Sequence, residues 1–325
     1  MKRKVLVGFI MAICISGCGI KTENISENIK INFTDNKLGY NYGQMLIVAA
    51  SENKIITNTY SEAIWDCYID RENNITYRDN FYNDLKNYYK ELVVLKKIAD
   101  KNEITLSEQE KAKALKLSKT FYDENLVNRE DFSGLSQEDC DKVFLDYFLV
   151  NKAKKDLLEK NVKEVSDSEA RIMEFHVIEV SDFDLANSLL ERLNNGENCV
   201  KLATQFSESD SISRSIALDT EPDEIKNSLG VLEDGGVSPI LTNKGKYVLY
   251  KCVKSYNEEA TKKNKQRIKD ERESAYLLNL YNEFIQENPV EINESELKNV
   301  CENSSVTLSG RDFFTLWSEE ENGGI

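Results

Sequence analysis

The sequence contains a single histidine, His176, and so has only one side chain suited to be the base of a Ser-His-Asp hydrolase. This histidine lies in an apolar run, where a buried structural role and a catalytic role are equally open. No Gly-x-Ser-x-Gly elbow, glycine-rich phosphate loop or His-Glu-x-x-His motif accompanies it. The sequence therefore disfavours a hydrolase and implies no cofactor and no metal.

The number and spacing of the cysteines indicate neither disulfide bonds nor a metal site. After Cys18 the chain carries five further cysteines, which are Cys67, Cys140, Cys199, Cys252 and Cys301. Their number is odd and no pair has Cys-x-x-Cys spacing, which argues against a disulfide framework and against a zinc site. We expect these five side chains to be reduced residues of the core.

The N-terminus has the three parts of a secretory signal peptide over residues 1–17: a basic head, an apolar run and small residues. The apolar run is shorter than the roughly 20 residues that span a bilayer. The sequence Ile15-Ser16-Gly17-Cys18 resembles the lipobox of bacterial lipoproteins, which implies lipidation at Cys18 and anchoring on the extracytoplasmic face of the cell membrane. The alternative is an ordinary signal peptide with a chance cysteine. The polar residues 18–37 are typical of a flexible tether.

The formal charge of −15 excludes one class of partner. Loss of Lys2, Arg3 and Lys4 with the signal peptide takes the charge to −18. Nucleic acid binding depends on neutralising phosphates with Lys and Arg, so this balance argues against it. The charge suits a soluble protein that meets cationic or unfolded partners, although solubility alone explains it equally well.

Apolar periodicity predicts an N-terminal helical domain over residues 38–164. Tyr77–Asn102 carries apolar residues at helical spacing. Thr105 with Glu108 predicts a capping box at the start of the next helix, and Ser136 predicts the start of another. Long amphipathic helices on short linkers indicate an all-α module.

The pattern changes at Val165 and predicts an α+β domain over residues 165–256. The predicted strands are Ile172–Val180, Val237–Leu241 and Tyr247–Val253, and the predicted helices are Asp182–Asn194, Cys199–Phe206 and Glu221–Leu229. Helical periodicity returns at Glu258. We therefore expect an α+β domain inserted between segments of an all-α domain, with residues 257–325 packing on the N-terminal helices.

Four stretches of this middle region, in this order and spacing, resemble parvulin-type peptidyl-prolyl isomerases. They are His176-Val177-Ile178, Leu189-Leu190-Glu191-Arg192-Leu193-Asn194-Asn195-Gly196, Leu202-Ala203-Thr204-Gln205-Phe206-Ser207 and Gly235-Gly236-Val237-Ser238-Pro239. Together with the lipobox and the flanking helices, the layout resembles PrsA-like foldase lipoproteins and is similar to SurA-type chaperones. In that family the flanking helical segments form a client-binding domain.

The resemblance implies a set of site residues. Its catalytic positions fall on His176, Ser209, Asp210, Thr242 and Tyr247, and its proline-contacting positions fall on Ile225 and Leu229. Tyr247 replaces a family histidine, which either preserves the hydrogen-bond network or marks a decayed site. The family's Gly-Gly-Asp-Leu-Gly stretch is replaced by Ser213–Asp219. A solvated loop at Ser209 and a purely structural role for Ile225 and Leu229 remain open.

Three functions are compatible with these patterns. The first is a membrane-anchored prolyl isomerase that assists the folding of newly exported proteins. The second is a non-catalytic holdase with a degenerate parvulin domain. The third, a solute-binding or structural lipoprotein, lacks the repeated β-α units usual in such proteins. The expected partners are unfolded exported proteins and, through the lipid anchor, the membrane, and a homodimer is left open.

Overall fold

The computed structural model describes residues 39–126, 132, 135–287 and 293–321. These residues fall into two compact units. Lys163–Glu273 forms one unit, and the described segments before and after it form the other. The first unit contains a four-stranded antiparallel sheet with helices and the second is mainly helical, which confirms the predicted α+β class.

The helical unit is built from helices and a short, exposed hairpin. Its elements are α1 Tyr42–Tyr60, a 3-10 turn Glu62–Asp66, β1 Tyr68–Asp70, β2 Ile75–Thr76, α2 Tyr77–Lys101, α3 Glu108–Asn125, α4 Gln137–Asn161, the second half of α8 Glu258–Glu287, α9 Glu294–Glu302 and α10 Phe313–Glu321. Each of α1 to α4 begins with a capping box, which satisfies two backbone N–H groups that the helix itself leaves unpaired.

The capping box predicted at Thr105 and Glu108 is wrong, because α3 begins two residues later. The Ser107 hydroxyl accepts from the Glu110 N–H at 3.2 Å, and the Glu110 carboxylate accepts from the Ser107 N–H at 2.7 Å. The sequence contains two overlapping Ser/Thr-x-x-Glu patterns. The second is selected because Glu110 also accepts from the Lys152 ammonium on α4 at 2.7 Å.

The C-terminal helices complete the core that α1 to α4 begin. The fully buried side chains that they contribute include Leu297, Val300, Phe313 and Leu316. Burial of side chains of this size stabilises a fold by about 1.5–3 kcal/mol each. The linker between α9 and α10 is fixed as well, since the Asn125 amide donates to the Arg311 carbonyl at 2.9 Å and accepts from the Gly310 N–H at 2.8 Å.

A partly buried ion cluster joins the start of α1 to α2 and α4. One Asp146 carboxylate oxygen accepts from the Tyr40 hydroxyl at 2.7 Å and lies 2.6 Å from the Lys96 ammonium. The Lys142 ammonium lies 3.3 Å from the same oxygen and 3.7 Å from the centre of the Tyr40 ring. Removal of Asp146 would leave two ammonium groups poorly solvated, which is costly inside a protein.

The α+β unit has its sheet in the order β4-β3-β6-β5, with every pair antiparallel. Its elements are β3 Ile172–Val180, α5 Phe183–Asn194, α6 Cys199–Phe206, β4 Ser213–Ala217, a 3-10 turn Leu218–Thr220, α7 Asp223–Gly230, β5 Leu241–Asn243, β6 Lys246–Lys254 and the first half of α8. The predicted strand Ile172–Val180 and helix Cys199–Phe206 are confirmed to the residue.

One strand prediction in this unit is wrong, and one strand was not predicted. Val237–Leu241 is not a strand, since Val237 forms only an isolated bridge and strand pairing starts at Leu241. Pro239 has no backbone N–H to donate to a neighbouring strand, which explains why strand pairing is interrupted between Val237 and Leu241. Conversely, the serine-rich Ser213–Ala217 pairs with β3 as an edge strand. An edge strand with solvent on one face needs few apolar residues, so the sequence of Ser213–Ala217 lacks the apolar alternation that predicts a strand.

Alternation along β3 divides the sheet into two faces. Phe175 and Val177 point to the face that α7 covers, in one buried cluster with Tyr250 and Ile225. Ile178 and Val180 point to the opposite face, where α5 and α6 pack. We call these the α7 face and the α5/α6 face.

The cysteine prediction holds for four of the five residues. Cys140, Cys199, Cys252 and Cys301 are buried and free, but Cys67 is exposed. Cys67 directly precedes the solvent-exposed strand β1, and its thiol donates to the Ala63 carbonyl at 3.3 Å. Among the described residues, none of the helices has the length and apolar character needed to cross a membrane.

Candidate functional site

The residues predicted as a site lie on both faces of the sheet. By their strand register His176, Thr242 and Tyr247 point to the α5/α6 face. Ile225 and Leu229 are on α7 and pack in the cluster of the opposite face. Leu229 has a relative exposure of 0%, so it offers no surface to a proline ring in this structure.

His176 occupies the middle of β3 and is half-buried. Its neighbours across the sheet are Ser213 on β4 and Lys251 on β6. The Nδ1 atom lies 3.2 Å from the Ser213 hydroxyl. Tyr247 is opposite Val180, four residues further along β3, which is about 13 Å along the strand. The structure therefore does not bring His176 and Tyr247 into contact.

Thr242 and Tyr247, in contrast, are brought together as a directly opposed pair between β5 and β6. The ring of Phe183, at the first turn of α5, lies with its centroid 5.1 Å from that of Tyr247, at an interplanar angle of 58°. We call Phe183, Thr242 and Tyr247 the aromatic corner. Phe183 was not predicted from the sequence. The feature that could have indicated it is its position, since it is an aromatic residue at the start of an amphipathic helix and outside the apolar stripe of that helix.

The aromatic corner is open to solvent. Phe183 is 50% exposed, Thr242 is exposed and Tyr247 is half-buried. Within the described part of the chain neither the Tyr247 nor the Thr242 hydroxyl has a hydrogen-bond partner. The corner thus combines apolar ring surface with two hydroxyl groups that are free to bind a ligand.

Ser209 and Asp210 lie in the loop between α6 and β4, which covers the edge of β3. The backbone of this loop is held by a bond from the Glu208 N–H to the Glu179 carbonyl, at 2.8 Å. The Ser209 hydroxyl accepts from the Arg214 guanidinium at 3.0 Å. Asp210 is exposed. The loop is therefore an ordered edge covering rather than a free solvated segment.

Arg214 links this loop to the α7 face, and sequence reasoning missed it because strand β4 was missed. Its guanidinium lies 2.6 Å from the Glu179 carboxylate. In the strand register Arg214 is opposite Phe175, whose ring meets that of Tyr250 edge-on at 5.6 Å. Burial raises the pKa of Tyr250, and the positive charge of Arg214 opposes part of that rise.

The two groups of residues differ in what they can do chemically. Ser209 and Glu179 already bind the Arg214 guanidinium, and the apolar residues beside them are buried. The residues around Arg214 therefore suit a structural role. The aromatic corner has exposed ring surface and unoccupied hydroxyls. A proline ring can pack on the rings, and a hydroxyl can donate to the neighbouring amide without any nucleophile or metal.

Comparisons with known proteins gave matches among solved structures. A peptidylprolyl isomerase, PrsA, from Bacillus cereus matches with a TM-score of 0.38 at 19% identity, over 74% of this chain and 98% of its own. Foldase protein PrsA from Streptococcus pneumoniae matches with a TM-score of 0.30 at 19% identity, over 73% and 99%. PrsA from Bacillus subtilis matches with a TM-score of 0.25 at 18% identity, over 70% and 93%. The chain is similar to each of these over most of its length.

No protein-family model matches the sequence, and no curated protein matches it significantly. The predicted lipidation site, Cys18, lies outside the described residues, as do the signal peptide and the whole of the predicted tether.

Proposed function

We propose that this chain is an extracytoplasmic foldase, anchored through lipid at Cys18, that assists the folding of exported proteins. Its α+β unit accelerates the cis-trans isomerisation of X-Pro bonds, and its helical unit holds unfolded clients. The motif order over His176 to Pro239 supports the family, and the similar PrsA proteins from Bacillus cereus and Streptococcus pneumoniae are a peptidylprolyl isomerase and a foldase protein.

The reaction needs little chemistry from the protein. Amide resonance sets a barrier of about 18–20 kcal/mol, and uncatalysed X-Pro exchange takes tens to hundreds of seconds. A catalyst must hold the proline ring against apolar surface and stabilise the twisted amide. Hydrogen bonds that are stronger to the twisted state than to the planar one supply this stabilisation.

The aromatic corner is the observation that carries the proposal. The rings of Phe183 and Tyr247 supply the apolar surface, and the unoccupied hydroxyls of Tyr247 and Thr242 supply the donors. His176 acts at a distance, as a positioning residue that fixes the edge strand β4 through Ser213. Ser209 and Asp210 belong to the loop that closes the same end of the sheet.

The test is prolyl exchange in a short X-Pro peptide, measured by NMR with the full chain in detergent. Tyr247→Phe keeps the ring and removes the hydroxyl, and we expect exchange to slow at least tenfold because one positioned donor contributes that much or more. Phe183→Ala should weaken peptide binding. Tyr256→Phe is the matched control, since Tyr256 is exposed in the same unit at 41%, and it should leave exchange unchanged.

Two other outcomes would indicate a different site or a different function. If Arg214→Gln slows exchange and Tyr247→Phe does not, the site is on the α7 face. If the folded wild-type chain gives no acceleration, catalysis is excluded and the second candidate function, a holdase, stands. That candidate is favoured by the separation of His176 from Tyr247. It is tested by suppression of client aggregation.

A further inference from the structure

The hairpin β1–β2 exposes apolar side chains on both of its faces. Tyr68 and Ile69 are consecutive in β1 and are 53% and 52% exposed. Successive side chains of a strand point in opposite directions, so a strand packed on a core would bury one of the two. Tyr60, which is 52% exposed, adds a third exposed apolar side chain next to the hairpin, with its ring 6.4 Å from that of Tyr77.

The outer edge of β1 is unpaired among the described residues. β1 pairs with β2 through Tyr68 opposite Thr76 and Asp70 opposite Ile75, and no described strand lies on its other side. The Cys67 carbonyl accepts from the Tyr77 N–H at 2.8 Å, toward β2. Because the direction of backbone groups alternates along a strand, the N–H and C=O of Tyr68 point to the open edge. Such an edge is a template for another strand.

Contacts on both sides of β1 order the hairpin. Trp65, in the 3-10 turn that precedes the hairpin, is buried, with its ring 5.2 Å from Phe81 and 5.9 Å from Tyr77. The turn is fixed by the Asp70 carboxylate, which accepts from the backbone N–H groups of Glu72 at 3.0 Å and Asn73 at 3.1 Å. A pre-ordered edge lowers the entropic cost of adding a strand to it.

The charge around this edge indicates what kind of strand fits. Residues 60–78 carry four carboxylates and two guanidinium groups, for a net charge of −2, and the Arg78 guanidinium lies 3.9 Å from the Asp66 carboxylate; the charged residues are Glu62, Asp66, Asp70, Arg71, Glu72 and Arg78. A second copy of this chain would place the same negative charge opposite, which opposes self-pairing. A chain that alternates apolar and basic residues is complementary in both respects.

We propose that β1 takes up an extended segment of a client polypeptide as a third strand, and that apolar residues alternating with Lys or Arg are the preferred segment. The backbone bonds made by Tyr68 give affinity without sequence preference, and the exposed rings and carboxylates select the side chains. This inference rests on the proposed foldase function, since it names the client chemistry that the helical unit recognises.

The test uses a fluorescein-labelled peptide, Lys-Val-Thr-Val-Lys-Val-Thr, titrated with the full chain in detergent and followed by fluorescence anisotropy. Its partner probe has Glu in place of Lys and should bind at least tenfold more weakly. Tyr68→Pro removes the outward N–H and should weaken binding of the lysine peptide at least tenfold. Tyr68→Ala, which keeps the N–H, should weaken it less. Val231→Ala is the control, because Val231 is 78% exposed in the other unit.

Equal binding of the two peptides, or unchanged binding by Tyr68→Pro, would overturn the proposal. So would self-association of the peptide-free chain that Tyr68→Pro abolishes in sedimentation, because the occupant would then be a second copy. If Tyr68→Pro does not fold, hydrogen exchange of the wild-type chain decides: the lysine peptide must slow exchange at the Tyr68 amide.

Failure of this inference differs from failure of the foldase function. A chain that suppresses client aggregation equally with and without Tyr68→Pro is a foldase that does not use β1. A chain that binds the lysine peptide at β1, yet neither suppresses aggregation nor accelerates prolyl exchange, has the strand site without the foldase function.

Discussion

Tyr88 and Tyr89 are adjacent on α2 and both are buried, but their hydroxyls are in different situations. The Tyr89 hydroxyl donates to the Met45 carbonyl at 3.1 Å, whereas that of Tyr88 has no hydrogen-bond partner among the described residues. A buried polar group without a partner costs about 1–3 kcal/mol. We expect Tyr88→Phe to leave the free energy of unfolding unchanged or raise it, and Tyr89→Phe to lower it by about 1 kcal/mol. Urea denaturation of the two variants measures this, and an equal loss in both would contradict it.

Asp84 on α2 gives the helical unit a specific pH dependence. Burial raises the pKa of its carboxyl to about 6, although the Asn80 amide donates to it at 2.8 Å. Between the unfolded value, about 4, and this folded value the native state holds more protons than the unfolded state, so stability falls as pH rises. We expect Asp84→Asn to flatten this fall between pH 4 and pH 6, as measured by thermal unfolding across that range. Parallel curves for the variant and the wild type would exclude the effect.

At the scale of single residues, the sequence indicates which side chains could belong to a site better than it indicates which of them are in contact. The resemblance assigns Thr242 and Tyr247 to one site, and the two are opposed across the β5–β6 hairpin. His176 was expected near Tyr247, yet the register of β3 against β6 separates them, and a strand register depends on pairings that a single sequence does not contain. Phe183 lies next to Tyr247, and Arg214 next to Ser209, only because of tertiary contacts.

The element scale is illustrated by the start of α3, where two overlapping capping patterns compete. Ser107 caps the helix and Thr105 lies outside it. We expect Ser107→Ala to lower the free energy of unfolding by about 1 kcal/mol, because a backbone N–H loses its acceptor. Thr105→Ala should change it by less than about 0.5 kcal/mol, as is usual for a surface position without such a role. Chemical denaturation of the pair distinguishes them, and the reverse order would place the cap at Thr105.

Elements with a strong internal pattern were predicted well, and those fixed by their neighbours were not. Ile172–Val180 is central in its sheet and mostly buried, so its apolar residues define its limits. Ser213–Ala217 exists as a strand because β3 provides hydrogen bonds for it. The hairpin β1–β2 was missed for a related reason, since its exposed side chains follow no alternation between a core face and a solvent face.

At the scale of the whole molecule, the helical unit depends on residues from both ends of the chain. The Phe313 N–H donates to the Ser51 hydroxyl at 3.1 Å, and the Lys54 ammonium donates to the Leu308 carbonyl at 3.0 Å. Truncation after residue 292 removes these contacts together with the buried side chains of α9 and α10. We expect calorimetry of the truncated chain to lose the unfolding transition of the helical unit and to keep that of the α+β unit. Retention of both transitions would contradict this division.

The discontinuity of the helical unit also determines the order in which the chain can fold as it is made. A ribosome or a translocation channel delivers residues from the N-terminus onward, at about 5–20 residues per second during synthesis. Lys163–Glu273 is one continuous stretch and can fold once Glu273 has emerged. The helices before it must wait for Leu297 through Trp317. The middle of the molecule can therefore fold before its beginning. For several seconds the helices before Lys163 lack the residues that complete their core, so they need the help that the protein is proposed to give.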